Sequence, residues 1–172
     1  MSKRVLILGG ARSGKSTFAL KEASALAGKK AFLATAEALD DEMAARIARH
    51  RSERSPVWDT FEEAVELPAL ILKVVPDYPV VLIDCLTLWA SNILLRALPF
   101  KRYADQFLEA VSGPGTADLY MVSNEVGLGI VPDVPLGRQY RDDLGRLNAD
   151  IAAAATDVYF MVAGIPMKIK GA

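Results

Sequence analysis

The chain of 172 residues has one cysteine, Cys85, so no disulfide can form within it. A reducing compartment is therefore the expected setting. Charge of either sign is not in excess: 20 basic and 21 acidic side chains leave a formal net charge of −1. That balance removes any global pull toward nucleic acid or an anionic membrane. Long hydrophobic runs are missing as well. Residues 5–8 are too few for the apolar core of a secretory leader, and the apolar stretch 80–88 carries Asp84 in its middle. Internal repeats, low-complexity tracts and interdomain linkers are also absent. The expectation is a single domain over residues 1–172, cytoplasmic, with no membrane span and no nucleic-acid partner.

The remainder is an ordinary globular composition, with 52% hydrophobic and 24% charged residues and enough length to bury a core. Apolar runs of strand length fall at 4–8, 31–34, 80–83, 119–123 and 157–163, with a shorter candidate at 57–61. Between them lie helical patterns over 15–27, 41–51, 62–74, one or two helices reaching about 111, and 136–155. Gly28 stops the first helix. Gly164 turns the chain into 165–170, which reads as an antiparallel edge strand. The alternation predicts an α/β fold with a mostly parallel sheet flanked by helices. Ligands in such sheets bind beyond the carboxyl ends of the strands.

The first such loop, Gly9-Gly10-Ala11-Arg12-Ser13-Gly14-Lys15-Ser16, has the complete spacing of a phosphate-binding P-loop. Glycines let backbone N–H groups converge on phosphate oxygens, and the helix that follows turns its positive end toward the same anion. Lys15 is placed to bridge the outer phosphates, and the Ser16 hydroxyl to ligate Mg²⁺. Asp84 ends the most strand-like run, where a second Mg²⁺ ligand belongs. Cys85 beside it reads as a small core residue rather than a reactive thiol.

The only histidine, His50, closes a segment with acids at its start (Asp40, Asp41, Glu42) and Arg46, Arg49, Arg51 and Arg54 toward and beyond its end. That order suits the helix dipole, and Met43, Ile47 and His50 share a stripe. One reading is a histidine at the margin of a packed face. The other is a nucleophile: surrounding cations disfavour imidazolium, leaving a neutral ring able to attack a bound triphosphate. From these residues alone, a two-step transferase, a plain P-loop kinase with a structural His50, and a nucleotide-driven binding switch all remain open. A DNA motor is disfavoured by the charge balance and by the lack of an aromatic-basic tract.

Several stretches together resemble one family. They are the P-loop, Ala34-Thr35-Ala36, the run from Asp40 to His50, Trp58, and Asp84-Cys85-Leu86-Thr87. They continue with Asn124-Glu125-Val126-Gly127-Leu128-Gly129-Ile130-Val131-Pro132, Arg141-Asp142 with Gly145 and Asn148, and Gly164-Ile165-Pro166. The chain resembles, nearly end to end, the bifunctional adenosylcobinamide kinase / adenosylcobinamide-phosphate guanylyltransferases of cobalamin biosynthesis. The resemblance implies a RecA-like P-loop sheet and a homotrimer. It implies phosphorylation of adenosylcobinamide from ATP or GTP, then GMP transfer from GTP through a GMP-histidine to adenosylcobinamide phosphate. It places the histidine at His50, with Lys15 also catalytic. Nucleotide contacts then fall on the P-loop, on Ala34, Thr35 and Ala36, on Arg51, Ser52, Glu53 and Arg54, and on Glu62 and Asp84. The metal ligands are Ser16 and Asp84.

Overall fold

The structure, a computed structural model, describes residues 2–38, 41, 44–45, 55–113 and 115–171. In chain order the elements are β1 (Arg4–Gly9), α1 (Lys15–Ser24), β2 (Lys30–Ala34), β3 (Trp58–Glu62), α2 (Leu67–Val74) and β4 (Val80–Asp84). They continue with α3 (Leu86–Leu95), α4 (Phe100–Ser112), β5 (Asp118–Val122), α5 (Pro135–Ala154), β6 (Asp157–Val162) and β7 (Ile165–Lys170). The seven strands form one sheet in the order β3-β2-β4-β5-β1-β6-β7. All pairs are parallel except β6 with β7, which is antiparallel and closes the edge as expected.

The strands are apolar at successive positions because both faces of the sheet are covered. One face packs Val5, Ile7, Phe32, Leu82, Tyr120 and Val122 against Ala19 and Ala23 of α1. The other packs Leu6, Leu8, Leu33, Ile83 and Met121 against α2, α3, α4 and α5, with Trp89 and Phe107 fully buried and their ring centroids 5.2 Å apart. Among the described residues, no helix is long and apolar enough to cross a membrane.

Two boundaries differ from expectation. The helix expected from residue 62 starts at Leu67, and Glu62 instead ends β3. Glu63 explains the delay: its Oε1 accepts the N–H groups of Val65 and Glu66 at 2.9 and 2.8 Å, forming a turn, and Pro68 then stands in the first helical turn. At the other end of the phosphate-loop helix, α1 stops at Ser24 rather than at 27, because Leu26 N–H reaches back only to Ala23 O at 3.3 Å, tightening the last turn. The helix expected over 41–51 falls almost wholly outside the described residues.

Helix α1 follows β1 on one face, while α5 follows the neighbouring strand β5 on the other. The loops after β1 and β5 therefore part at the carboxyl edge of the sheet. That divergence opens the crevice in which ligands of open α/β sheets sit.

Candidate functional site

Gly9 leaves β1 at φ 151°, Arg12 holds φ 55° and Gly14 holds φ 89°, so the chain curls tightly before α1. A Cβ on Gly9 would stand 2.6 Å from the Met161 carbonyl oxygen, so the close approach of β6 requires glycine there. Helix α1 begins with no side-chain cap and no acid in its first turn. Its leading N–H groups are thus left for an external anion.

The Lys15 ammonium donates to Gly10 O at 2.5 Å and lies 3.4 Å from Ser13 Oγ, folded back across the loop with only 7% of the residue exposed. Burial lowers its pKa, and the nearby Cys85 sulfur and Asp84 carboxylate pull it partly back up. Ser16 occupies the first turn of α1 and is half-buried.

The register of β3, β2 and β4 sets Glu62, Ala34 and Asp84 in one row. Alternation turns all three toward the α1 face, because Trp58, Phe32 and Leu82 lie there on the same strands. Thr35, just past β2, is fully buried. Its hydroxyl donates to Cys85 O at 2.7 Å and accepts Cys85 N–H at 3.0 Å, and its own N–H reaches Asp84 O at 3.4 Å. Asn92 of α3 donates to Thr35 O at 2.9 Å and to Ala64 O at 3.1 Å. The end of β4 is thus held by a threonine and an asparagine. Burial, with Asp84 adding to it, pushes the Cys85 thiol up to about 11, so it is neutral near pH 7 and packs as expected rather than reacting.

Two loops not read as phosphate contacts flank the phosphate loop. Glu125 N–H donates to Gly9 O at 3.1 Å, and Gly164 N–H donates to Ser13 O at 3.2 Å. The strut behind Glu125 is also polar. Thr87 Oγ1 accepts Asn124 N–H at 2.7 Å, Asn148 donates to Asn124 O at 3.0 Å, and Tyr140 donates to Thr87 O at 3.1 Å. Burial raises the Tyr140 hydroxyl to about 12, keeping it a donor. Thr87 and Asn92 are, with Ser91, the polar residues in the apolar run of α3, and that is the one sequence signal for them. Glu125 itself turns its Oε1 to Gly127 N–H at 2.6 Å.

The fold brings Gly9, Gly10, Ala11, Arg12, Ser13, Gly14, Lys15 and Ser16 to one edge with Ala34, Thr35, Ala36 and Asp84, and with Glu62 on the outermost strand. His50, Arg51, Ser52, Glu53 and Arg54 lie outside the described residues. A surface concavity of about 570 Å³ beside Ser2, Gly115 and Asp118 opens at the amino ends of β1 and β5, away from this edge.

The sequence model of a family described as cobinamide kinase / cobinamide phosphate guanyltransferase matches residues 5–169. The chain is 43% identical over 170 residues to the bifunctional adenosylcobalamin biosynthesis protein CobP of Pseudomonas aeruginosa, covering 98% of each chain. It is 40% identical over 183 residues to the protein CobU of the same description from Escherichia coli, covering 96% of this chain and 99% of that one. Among solved structures, the RadB recombinase superposes with a TM-score of 0.52 at 16% identity, over 92% of this chain and 74% of that one. That likeness concerns the fold alone.

Proposed function

The chain belongs to the cobinamide kinase / cobinamide phosphate guanyltransferase family, and from that premise we propose that it catalyses two successive transfers. In the first, the aminopropanol hydroxyl of adenosylcobinamide attacks the γ-phosphorus of ATP or GTP. The bond to the β–γ bridging oxygen breaks, and a nucleoside diphosphate leaves. In the second, a ring nitrogen of His50 attacks the α-phosphorus of GTP and pyrophosphate departs. An oxygen of adenosylcobinamide phosphate then displaces the histidine, giving adenosyl-GDP-cobinamide. Splitting guanylyl transfer this way lets a neutral imidazole serve first as nucleophile and then as leaving group.

The observation that carries this reading is the phosphate loop with the buried Lys15 ammonium folded across it. An ammonium folded onto Gly10 O can swing to a phosphate oxygen without first shedding a full water shell. Arg51, Ser52, Glu53 and Arg54 would contact the nucleotide next to His50, and Ala34, Thr35, Ala36 and Glu62 would line it farther along the edge. The donors fit Mg²⁺, since a hydroxyl and a carboxylate are hard oxygen ligands that leave the remaining positions to phosphates and water. Ser16 and Asp84 would hold it, and when bound it would offset charge on the leaving phosphates. The same family reading gives a homotrimer working in the cytoplasm, and sedimentation tests the assembly.

Transfer of label from γ-labelled ATP or GTP to adenosylcobinamide tests the first step. Conversion of the phosphorylated product to adenosyl-GDP-cobinamide on adding GTP tests the second. No transfer from either nucleotide would remove the kinase from the account.

A further inference from the structure

The segment that leaves β5 beside the phosphate loop does not bury its large apolar side chains. Ile130 is 97% exposed, Leu128 81%, Val131 57%, Val134 55% and Leu136 47%. Asp133 is the one charged residue from 126 to 137. Apolar side chains gathered this densely on a surface mark a binding site rather than ordinary scatter. Behind them, α3 and the start of α5 enclose an apolar pocket of about 230 Å³, lined by Leu94, Leu95, Val134, Leu136 and Tyr140 among others.

The geometry points to this surface, residues 128–136 with the pocket beside it, as the seat of the corrin macrocycle of the acceptor. This deepens the two-transfer reading above and rests on it. The segment is tied to the phosphate loop through short links. Tyr140 in the pocket wall donates to Thr87 O, Thr87 accepts Asn124 N–H, and the next residue, Glu125, donates its N–H to Gly9 O. Ile130 lies five residues beyond Glu125, a reach of at most about 17 Å. An acceptor whose reactive hydroxyl sits on a flexible arm needs an apolar platform at such a remove from the phosphates. The pocket is smaller than a site for a whole drug-sized ligand. It therefore takes one methyl-bearing edge of the macrocycle while Leu128 and Ile130 lie against the ring face.

The test is the double substitution Leu128→Ser with Ile130→Ser, both at exposed positions. Equilibrium dialysis measures adenosylcobinamide binding, α-labelled GTP measures nucleotide transfer to the protein, and sedimentation measures assembly. The expected result is at least a tenfold rise in the adenosylcobinamide Kd, with labelling from GTP and assembly unchanged. A Kd within twofold of the unsubstituted protein overturns the proposal. So does a change in Kd that occurs only together with a change of assembly, which would make this face an interface between copies. Wild-type protein that binds adenosylcobinamide, loses that binding in the variant and takes no label from GTP would leave this site standing while removing the guanylyl step.

Discussion

The phosphate loop has two neighbours of opposite character. On the β2–β4 side, Thr35, Asn92 and the Asp84–Cys85 peptide are held by hydrogen bonds of 2.7–3.4 Å, with Thr35 and Asn92 buried. On the β5 side, the chain is tied at its root, by Glu125 on Gly9 and Asn124 on Thr87, and at its far end, where Arg138 donates to Pro132 O and Asp133 O; between the two it presents exposed Leu128 and Ile130. The first region places charges, and charge stabilisation depends on donors fixed before the reaction begins. The second offers apolar area, which is non-directional and tolerates an adaptable surface. Buried polar struts thus back the phosphate loop on one side, and an exposed apolar segment, the proposed seat of the acceptor, lies on the other.

The contrast breaks first at Lys15. Lys15→Ala should lower the kinase kcat/KM by about 10²–10³-fold, the usual cost of losing one preorganised donor. Initial rates with γ-labelled ATP read it. A loss under fivefold would mean the buried ammonium is only a loop fastener.

A smaller effect is expected at Thr35. Thr35→Val removes one donor and one acceptor, stranding Cys85 N–H and Cys85 O. The cost should be about 2–3 kcal/mol, from a shifted urea midpoint. Activity should fall with it, because Asp84 loses its support.

Cys85 adds a pH signature to the same region. Its thiol stays protonated up to about 11 in the folded chain, against 9.0 as the ordinary value. The folded state therefore holds a proton that the unfolded state has released. Stability should fall as pH rises from the ordinary value toward 11 and level off above it, by at most about 3 kcal/mol. Cys85→Ser should flatten that part of the pH profile of the melting temperature. A slope unchanged in the variant would assign the loss to other groups.

The least effect is expected on the opposite flank. Ile130→Ser should change stability by less than about 0.5 kcal/mol, since the side chain already faces water. A loss as large as that of Thr35→Val would erase the contrast between the two flanks.

What the sequence made legible follows the same division. Residues 80–83 read as a strand because both faces are buried, and the phosphate loop read as such because its parts lie within eight consecutive residues. Glu62 was misplaced into a helix because the Glu63 turn that separates β3 from α2 is a side-chain effect with no periodicity. The struts were hidden by distance along the chain: Asn92 reaches Thr35 across 57 residues, and Asn124 reaches Thr87 across 37. The apolar run at 128–136 is visible as letters, but only its exposure in the fold distinguishes a platform from a core segment. His50 was singled out as the sole histidine among arginines and through the family resemblance.

Whether His50 carries a nucleotide is read with α-labelled GTP and no corrinoid present. The wild-type chain should acquire label that is acid-labile and base-stable, His50→Ala should acquire none, and the variant should still phosphorylate adenosylcobinamide from ATP. Label that persists on His50→Ala would place the nucleotide elsewhere and contradict the account.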